Sequence, residues 1–417
     1  MLPPPTRHRH RTTTGSTAAR SSSVALLAVL LPTVIAAVVA MVLTWPSGVG
    51  AVAHDAGLVD VGVTTQTARV TSTHTSSCDA TIEDARPDGS VPDTVPCLHV
   101  DARITTGPRA GQDVEVTASP TITAAQVPDG TRIVVERYAA TADSPETWVW
   151  SDFERSVPLG TLGMAFVLVA GLVAGWKGLR AVLGLAIAAA ILWVYVLPAL
   201  ITGENALVAG LGASVVIMTL VVYLAHGVSW RSTTALVGTI VGLVLIAGIG
   251  LLAARASHLS YVASEEDYRL AGLIGDNGVA ALRGVFLCGV VLAGLGVLND
   301  VTITQASAVW ELRAADPNAG WRSLFVGGMR IGRDHIASTI YTIAFAYAGA
   351  ALPVLMLLQL YQQPVFRTVT SGVFAEEIVQ TLAGSIGLIL AIPLTTVLAA
   401  WVAVRRTPGP VGAAHAH

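Results

Sequence analysis

The sequence predicts an α-helical polytopic membrane protein of about eight spans, with a small extracytoplasmic all-β domain between spans 1 and 2. Three observations predict it. Of 417 residues, 53% are hydrophobic and only 12% charged, about half the charged share of an ordinary soluble domain. The apolar residues gather in blocks of about 20 or more, the length a helix needs to cross roughly 30 Å of hydrocarbon. One long stretch breaks that pattern and alternates apolar with polar residues, the period of a half-buried strand. The mean hydropathy is +0.66. A net charge of −3 excludes a nucleic-acid binder driven by bulk charge, and three cysteines exclude a cysteine-rich zinc or iron–sulfur protein.

The predicted spans are 24–44, 157–176, 179–201, 206–226, 233–254, 279–298, 338–360 and 380–403. Helices are the expected form, because lipid offers no partner to open backbone groups. Lys and Arg set the orientation. With the N-terminus in the cytoplasm, Arg7, Arg9, Arg11, Arg20, Lys177, Arg180, Arg231, Arg313, Arg322, Arg330, Arg333, Arg405 and Arg406 fall inside, while the short outside loops carry Arg255, Arg269 and Arg367. The expected organisation is a basic cytoplasmic tail 1–23, an anchor 24–44, an extracytoplasmic domain 45–156, a seven-span domain 157–403 and a cytoplasmic tail 404–417. Within the seven-span domain, 299–337 reads as a cytoplasmic amphipathic segment. The first span also has the look of a signal peptide, ending in Ala51-Val52-Ala53. Its apolar core exceeds the signal-peptide norm and favours an uncleaved anchor.

In 45–156 the alternating runs are Val59, Val61, Val63; Val100, Ala102, Ile104; Val114, Val116; and Ile133, Val135. Turn signals separate them at Arg86-Pro87-Asp88-Gly89, Thr106-Gly107-Pro108 and Pro128-Asp129-Gly130. Four to six strands over roughly 56–150 are expected, with an OB-like or similar barrel as one arrangement. Cys78 and Cys97 bracket a Pro/Asp-rich loop on the oxidising side and predict a disulfide. Cys288 stays reduced in its span. His74 and His99 lie near these cysteines, but no CxxC pair accompanies them, so no metal is expected. Trp148 and Trp150 read as an interfacial belt.

Ionisable residues at membrane depth are costly and point to function by default. Asn299-Asp300 ends the sixth span and leads into a stretch with Ile303, Ala306 and Trp310 on one face and Gln305 beside them; a helix cap is the plainer reading. Arg333, Asp334 and His335, followed by Ser338, Thr339 and Thr342, make a dense polar run into the seventh span, either a cavity lining or an ordinary surface. Glu377 shares a face with Gln380, Thr381 and Gly384, with Ser385 beside it, and Arg283 is its expected ion-pair partner. The candidate polar lining is therefore Asn299, Asp300, Gln305, Arg333, Asp334, His335, Thr339, Glu377 and Ser385. Pro198, Pro353 and Pro393 interrupt spans, and Gly171-xxx-Gly175 and Gly238-xxx-Gly242 read as packing faces. No nucleotide-binding or hydrolase motif is present.

Gly296-Val-Leu-Asn-Asp-Val-Thr-Ile-Thr-Gln-Ala-Ser-Ala-Val-Trp-Glu-Leu312, Ile331-Gly-Arg-Asp-His-Ile-Ala-Ser-Thr339, Ala346-Tyr-Ala-Gly-Ala-Ala-Leu-Pro353 and Glu377-Ile-Val-Gln-Thr-Leu-Ala-Gly-Ser-Ile-Gly387 together resemble the YibE/F-like multispan bacterial membrane proteins. The resemblance covers roughly 155–403, and the anchor and outside domain suit that layout. Tyr341 departs from it, standing where the resemblance leads one to expect Asn. The resemblance implies a multi-pass protein of the bacterial inner membrane and brings no activity with it.

From the polar residues entering from both faces, the leading expectation is a transporter or permease component for a small solute or ion. It is not an enzyme and carries no cofactor. The alternative is a non-catalytic envelope protein whose outside β domain binds a partner. The expected associates are the lipid bilayer and either further copies of this chain or a second membrane protein, with no nucleic acid.

Overall fold

The computed structural model describes residues 15–55, 63–86, 88–140, 144–275, 278–360, 362 and 364–406. The tails that hold Arg7, Arg9, Arg11, His415 and His417 lie outside the described residues, as do Val59 and Val61. The chain divides into two units: Ala53–Val169, and Met1–Val52 together with Ala170–His417.

The first unit is built on β1 (Thr64–Asp79), β2 (Thr94–Ile104), β3 (Asp113–Thr117), β4 (Arg132–Tyr138) and β5 (Thr147–Phe153). They form one antiparallel sheet in the order β3-β2-β1-β4-β5. β1 is long enough to pair with both β2 and β4, and a register shift between Val70 and Ser72 bends it between the two partners. The edge strands β3 and β5 come within 8 Å of each other, as in the partly open five-stranded barrels of which the OB fold is one. Alternation puts Val100, Ala102, Ile104, Val114, Val116, Ile133 and Val135 inside. Trp150 joins this core and packs edge-on to Phe153 at 5.2 Å, with Trp148 against the same cluster. These indoles are therefore strand core, not the interfacial belt expected from sequence. Cys78 and Cys97 are joined by a disulfide, and Cys288 is a buried free thiol.

The other elements are α1 (Gly15–Leu43), α2 (Val49–Asp55), α3 (Ser156–Ile191), α4 (Leu197–Ile201), α5 (Ala206–His226), α6 (Trp230–Ala256), α7 (Glu265–Ile274), α8 (Gly278–Ala315), α9 (Trp321–Ala350), α10 (Leu352–Leu360), α11 (Val365–Val369) and α12 (Gly372–Arg405). Among the described residues, six helical stretches are long and apolar enough to cross a membrane: Val24–Leu43, Ser156–Ile201, Ala206–His226, Trp230–Ala256, Gly278–Ala315 and Phe374–Arg405. The sequence predicts eight, and the difference has two sources. Ser156–Ile201 holds two of the predicted spans, divided at Gly175, whose φ of 59° only glycine adopts readily. Past that turn Gly178 lies against the Ala170 carbonyl, with no room for a side chain. Gly175 is thus a turn residue and not half of a packing face. The predicted span 338–360 straddles the end of α9 and α10, which part at Ala351, and neither helix is among the six.

The centre of the bundle is α6, α8 and α12. Ile246 of α6 fills the space left by Gly294 on α8 and Gly387 on α12, and Gly242 admits Leu298 and Ala391. Gly238 faces Thr395, so the Gly238-xxx-Gly242 packing face is real. Ahead of Pro198 the helix loosens into a π turn, Leu192–Val196, which buries Tyr195. The Tyr195 phenol and the Thr44 hydroxyl are 2.5 Å apart, tying the end of α1 to the bundle.

Candidate functional site

The long α8 carries the first group of expected polar residues. It runs without a break through Asn299 and Asp300, which therefore cap no new helix. Asp300 is exposed; Asn299 is half-buried, and its Oδ1 is buried without a hydrogen-bond partner. The segment beyond, expected as an amphipathic surface helix, instead buries Val301, Ile303, Ala306 and Val309 in the protein. Gln305 lies one turn further on and is 1% exposed. Its Nε2 donates to the Gly328 carbonyl of α9 and to Thr396 Oγ1 of α12, both at 2.8 Å. Gly332 leaves the space the amide occupies, since a Cβ there would stand 3.1 Å from Gln305 Oε1. Thr396 passes the network on to the Ile392 carbonyl at 2.6 Å. Beside it, the hydroxyls of Thr239 on α6 and Thr302 on α8 meet at 2.6 Å. One buried polar seam thus joins all three central helices and α9.

The second group lies on α9. Arg333 and Asp334 are exposed and His335 is half-buried. Thr339 donates to the His335 carbonyl at 2.8 Å, so its hydroxyl is satisfied within its own helix.

The third group, on α12, surrounds a cavity of about 240 Å³. Gln380, Thr381 and Gly384 line it from α12, Thr342 and Tyr347 from α9, and Gly294 from α8. Gln380 Nε2 donates to the Tyr347 phenol at 3.1 Å. Glu377 is exposed and does not line the cavity; Ser385 is half-buried beside it. Glu376, not Glu377, carries a buried carboxylate oxygen without a partner. No ion pair joins Glu377 to Arg283 among the described residues. Arg283 instead lines a polar recess of about 550 Å³ with Glu204, Asn205 and Arg255.

The structure thus brings the Gln380–Thr381–Gly384 stripe together with Thr342 of the α9 run, while Gln305 bonds Thr396, about four turns further along α12. It does not bring Asp300, Asp334 and Glu377 to one place. Sequence reasoning missed Thr239, Thr302, Thr396 and Tyr347 as parts of the polar seam and cavity. A lone hydroxyl in an apolar span bonds its own helix in most settings, so only knowledge of the facing helix singles these out.

A helical bundle with apolar flanks, a buried polar seam and a small β unit defines a polytopic membrane protein. Residues 162–405 match the YibE/F-like protein family, from within α3 to the last residue of α12. The chain belongs to that family. No curated protein and no solved structure matches it.

Proposed function

We propose that the protein is a transporter or permease component for a small solute or ion. The observation that carries this reading is the cavity between α8, α9 and α12. Helices in lipid associate by close packing, so a space that the Gln380–Tyr347 pair enters, within an otherwise largely apolar wall of Ala293, Val297, Ile343 and Ala346, supports binding of a small solute. The proposed setting is the bacterial inner membrane, with eight passes, both termini in the cytoplasm and the β unit outside. The Lys and Arg distribution supports that orientation, and the Cys78–Cys97 disulfide suits an oxidising compartment. The seventh pass then runs through the end of α9 and α10.

Substituted-cysteine accessibility tests the reading. Thr381→Cys and Gly384→Cys are made in a Cys288→Ser background and treated in whole cells with a small charged thiol reagent. Ser323→Cys, exposed at the start of α9, serves as the positive control in permeabilised cells. Labelling of both cavity cysteines is expected. Labelling of Ser323→Cys alone means a dry cavity; it would sink the transport reading and favour an envelope protein whose outside β unit engages a partner.

A further inference from the structure

The sequence, lacking a CxxC pair, predicts no metal beside Cys78 and Cys97, and the disulfide removes both cysteines as ligands. It leaves a histidine pair on the outward face of the sheet. In register, His74 on β1 stands opposite His99 on β2, and Asp101, two residues along the same face, stands opposite Glu115 on β3. The two imidazoles stack with centroids 5.1 Å apart. Glu115 Oε1 is 2.9 Å from His99 Nδ1 and 3.9 Å from His74 Nε2. The ligand atoms of His74, His99 and Glu115 all lie within 4.8 Å of one another. Tetrahedral bonds of about 2.0–2.1 Å put ligand atoms about 3.3 Å apart, so small side-chain rotations close the set.

The nitrogens on the far sides of the rings have polar neighbours too. His99 Nε2 is 2.8 Å from Ser76 Oγ. His74 Nδ1 faces Asp101 Oδ2 at 3.8 Å, and that oxygen accepts from Ser72 Oγ at 2.6 Å. Metal-ligating histidines are oriented by a hydrogen bond on the nitrogen that does not bind the ion; His99 has one with Ser76 at 2.8 Å, and Asp101 approaches His74 without bonding it. The face is open to solvent: His74 and Glu115 are more than half exposed, at 54% and 55%.

We propose that His74, His99 and Glu115 form a binding site for a divalent transition-metal ion of the zinc class on the open face of the β unit. Two imidazoles and one carboxylate suit zinc, copper(II) or nickel(II) and disfavour calcium and magnesium, which take oxygen ligands throughout. Three protein ligands leave the fourth position to water or to a group from another molecule. Ser76 acts as a positioning residue.

The test uses the full chain in detergent, with His8, His10, His415 and His417 replaced by Ala to silence the tails. Bound zinc is measured by elemental analysis after equilibrium dialysis against chelator-buffered zinc, with calcium as a parallel arm. One zinc per chain and no calcium are expected. His74→Ala and Glu115→Gln should each weaken binding about tenfold or more, and His74→Ala combined with His99→Ala should abolish it. Retention of the Cys78–Cys97 disulfide and an unchanged elution profile report the fold of each variant. X-ray absorption should give nitrogen and oxygen neighbours without sulfur. No bound zinc in the tail-silenced chain, or full binding in the double histidine variant, overturns the proposal and leaves the cluster as a carboxylate-held histidine pair.

Discussion

In the β unit, Val100, Ile104, Ile133 and Val135 are buried, while Arg103 and Asp113 face outward in a bidentate ion pair. In the helical unit large apolar side chains lie on both sides: Leu243, Ile246 and Leu298 are buried at the centre, and others face outward. Leu172 and Val173 are 76% and 83% exposed, while Thr239, Thr302, Gln305 and Thr396 are buried. The difference follows from the solvent. In water, burying aliphatic surface drives folding; in lipid it gains nothing, and small residues and interhelical hydrogen bonds specify the contacts. The two units should therefore fail by different mechanisms and separately.

The largest effect is expected at Gly387. A Cβ there meets Ile246, so Gly387→Leu forces apart α6 and α12. The cost should exceed about 3 kcal/mol, read as loss of monodisperse protein, with the Cys78–Cys97 disulfide still formed. Bundle failure that also prevented the disulfide would erase the separation between units. Cys97→Ser strikes the other side. Opening the cross-link should cost about 3 kcal/mol by loop-closure arithmetic, visible as a lower midpoint for the near-UV signal of Trp148 and Trp150. The bundle should still elute normally.

Tyr195→Phe is a finer probe of the bundle. The phenol and its Thr44 partner are both buried, so losing this hydrogen bond should cost about 1 kcal/mol, measured as a small drop in thermal stability in detergent. No change at all would mean that α1 is held by apolar packing alone. The smallest effect belongs to the β unit's surface. Glu146 accepts from Arg137 and Arg109 at 3.0 Å each. The Arg137 hydrogen bond, with both guanidinium charges, holds its carboxyl below the usual range. A depressed carboxylate stabilises at neutral pH and loses that contribution as pH falls through its folded value. Glu146→Gln should thus flatten the acid side of the β unit's stability profile slightly. High salt should reduce the difference, because the group is only partly buried and so screened. A salt-insensitive effect would mean that Glu146 acts through packing.

The two units also differed in legibility. Period-two alternation identified β2, β3 and β4 and their buried residues, because one face of each strand meets water. β1 escaped that reading. Its Thr/Ser-rich run buries only Gln66, Ala68 and Val70 among polar neighbours, so its place at the centre of the sheet comes from pairing, which is not local. In the helices, length and apolarity marked the blocks but not their inner faces, since apolar residues cover every side. Asn299-Asp300 looked like a helix end, yet packing of Val301, Ile303 and Ala306 carries α8 straight through. Gln305 was legible as an amide in an apolar context; its partners Gly328 and Thr396 were not. His74 and His99 were legible as residues, while their union with Glu115 needed the register of three strands.

The helical unit is discontinuous in sequence, and that fixes the order in which its parts are synthesised. α1 is synthesised before the rest of the bundle, with Leu26, Leu30 and Ala37 buried in the finished protein. The residues it packs against, Tyr195 and the α5 face around Gly212, are synthesised only after the whole of Ala53–Val169. For that interval the α1 face that meets Tyr195 and Gly212 has no partner from its own bundle. Slow maturation of the β unit need not delay closure of the bundle, since no strand contributes to the α6–α8–α12 centre. A β unit that captured the nascent α1 face would leave Tyr195 without its hydroxyl partner.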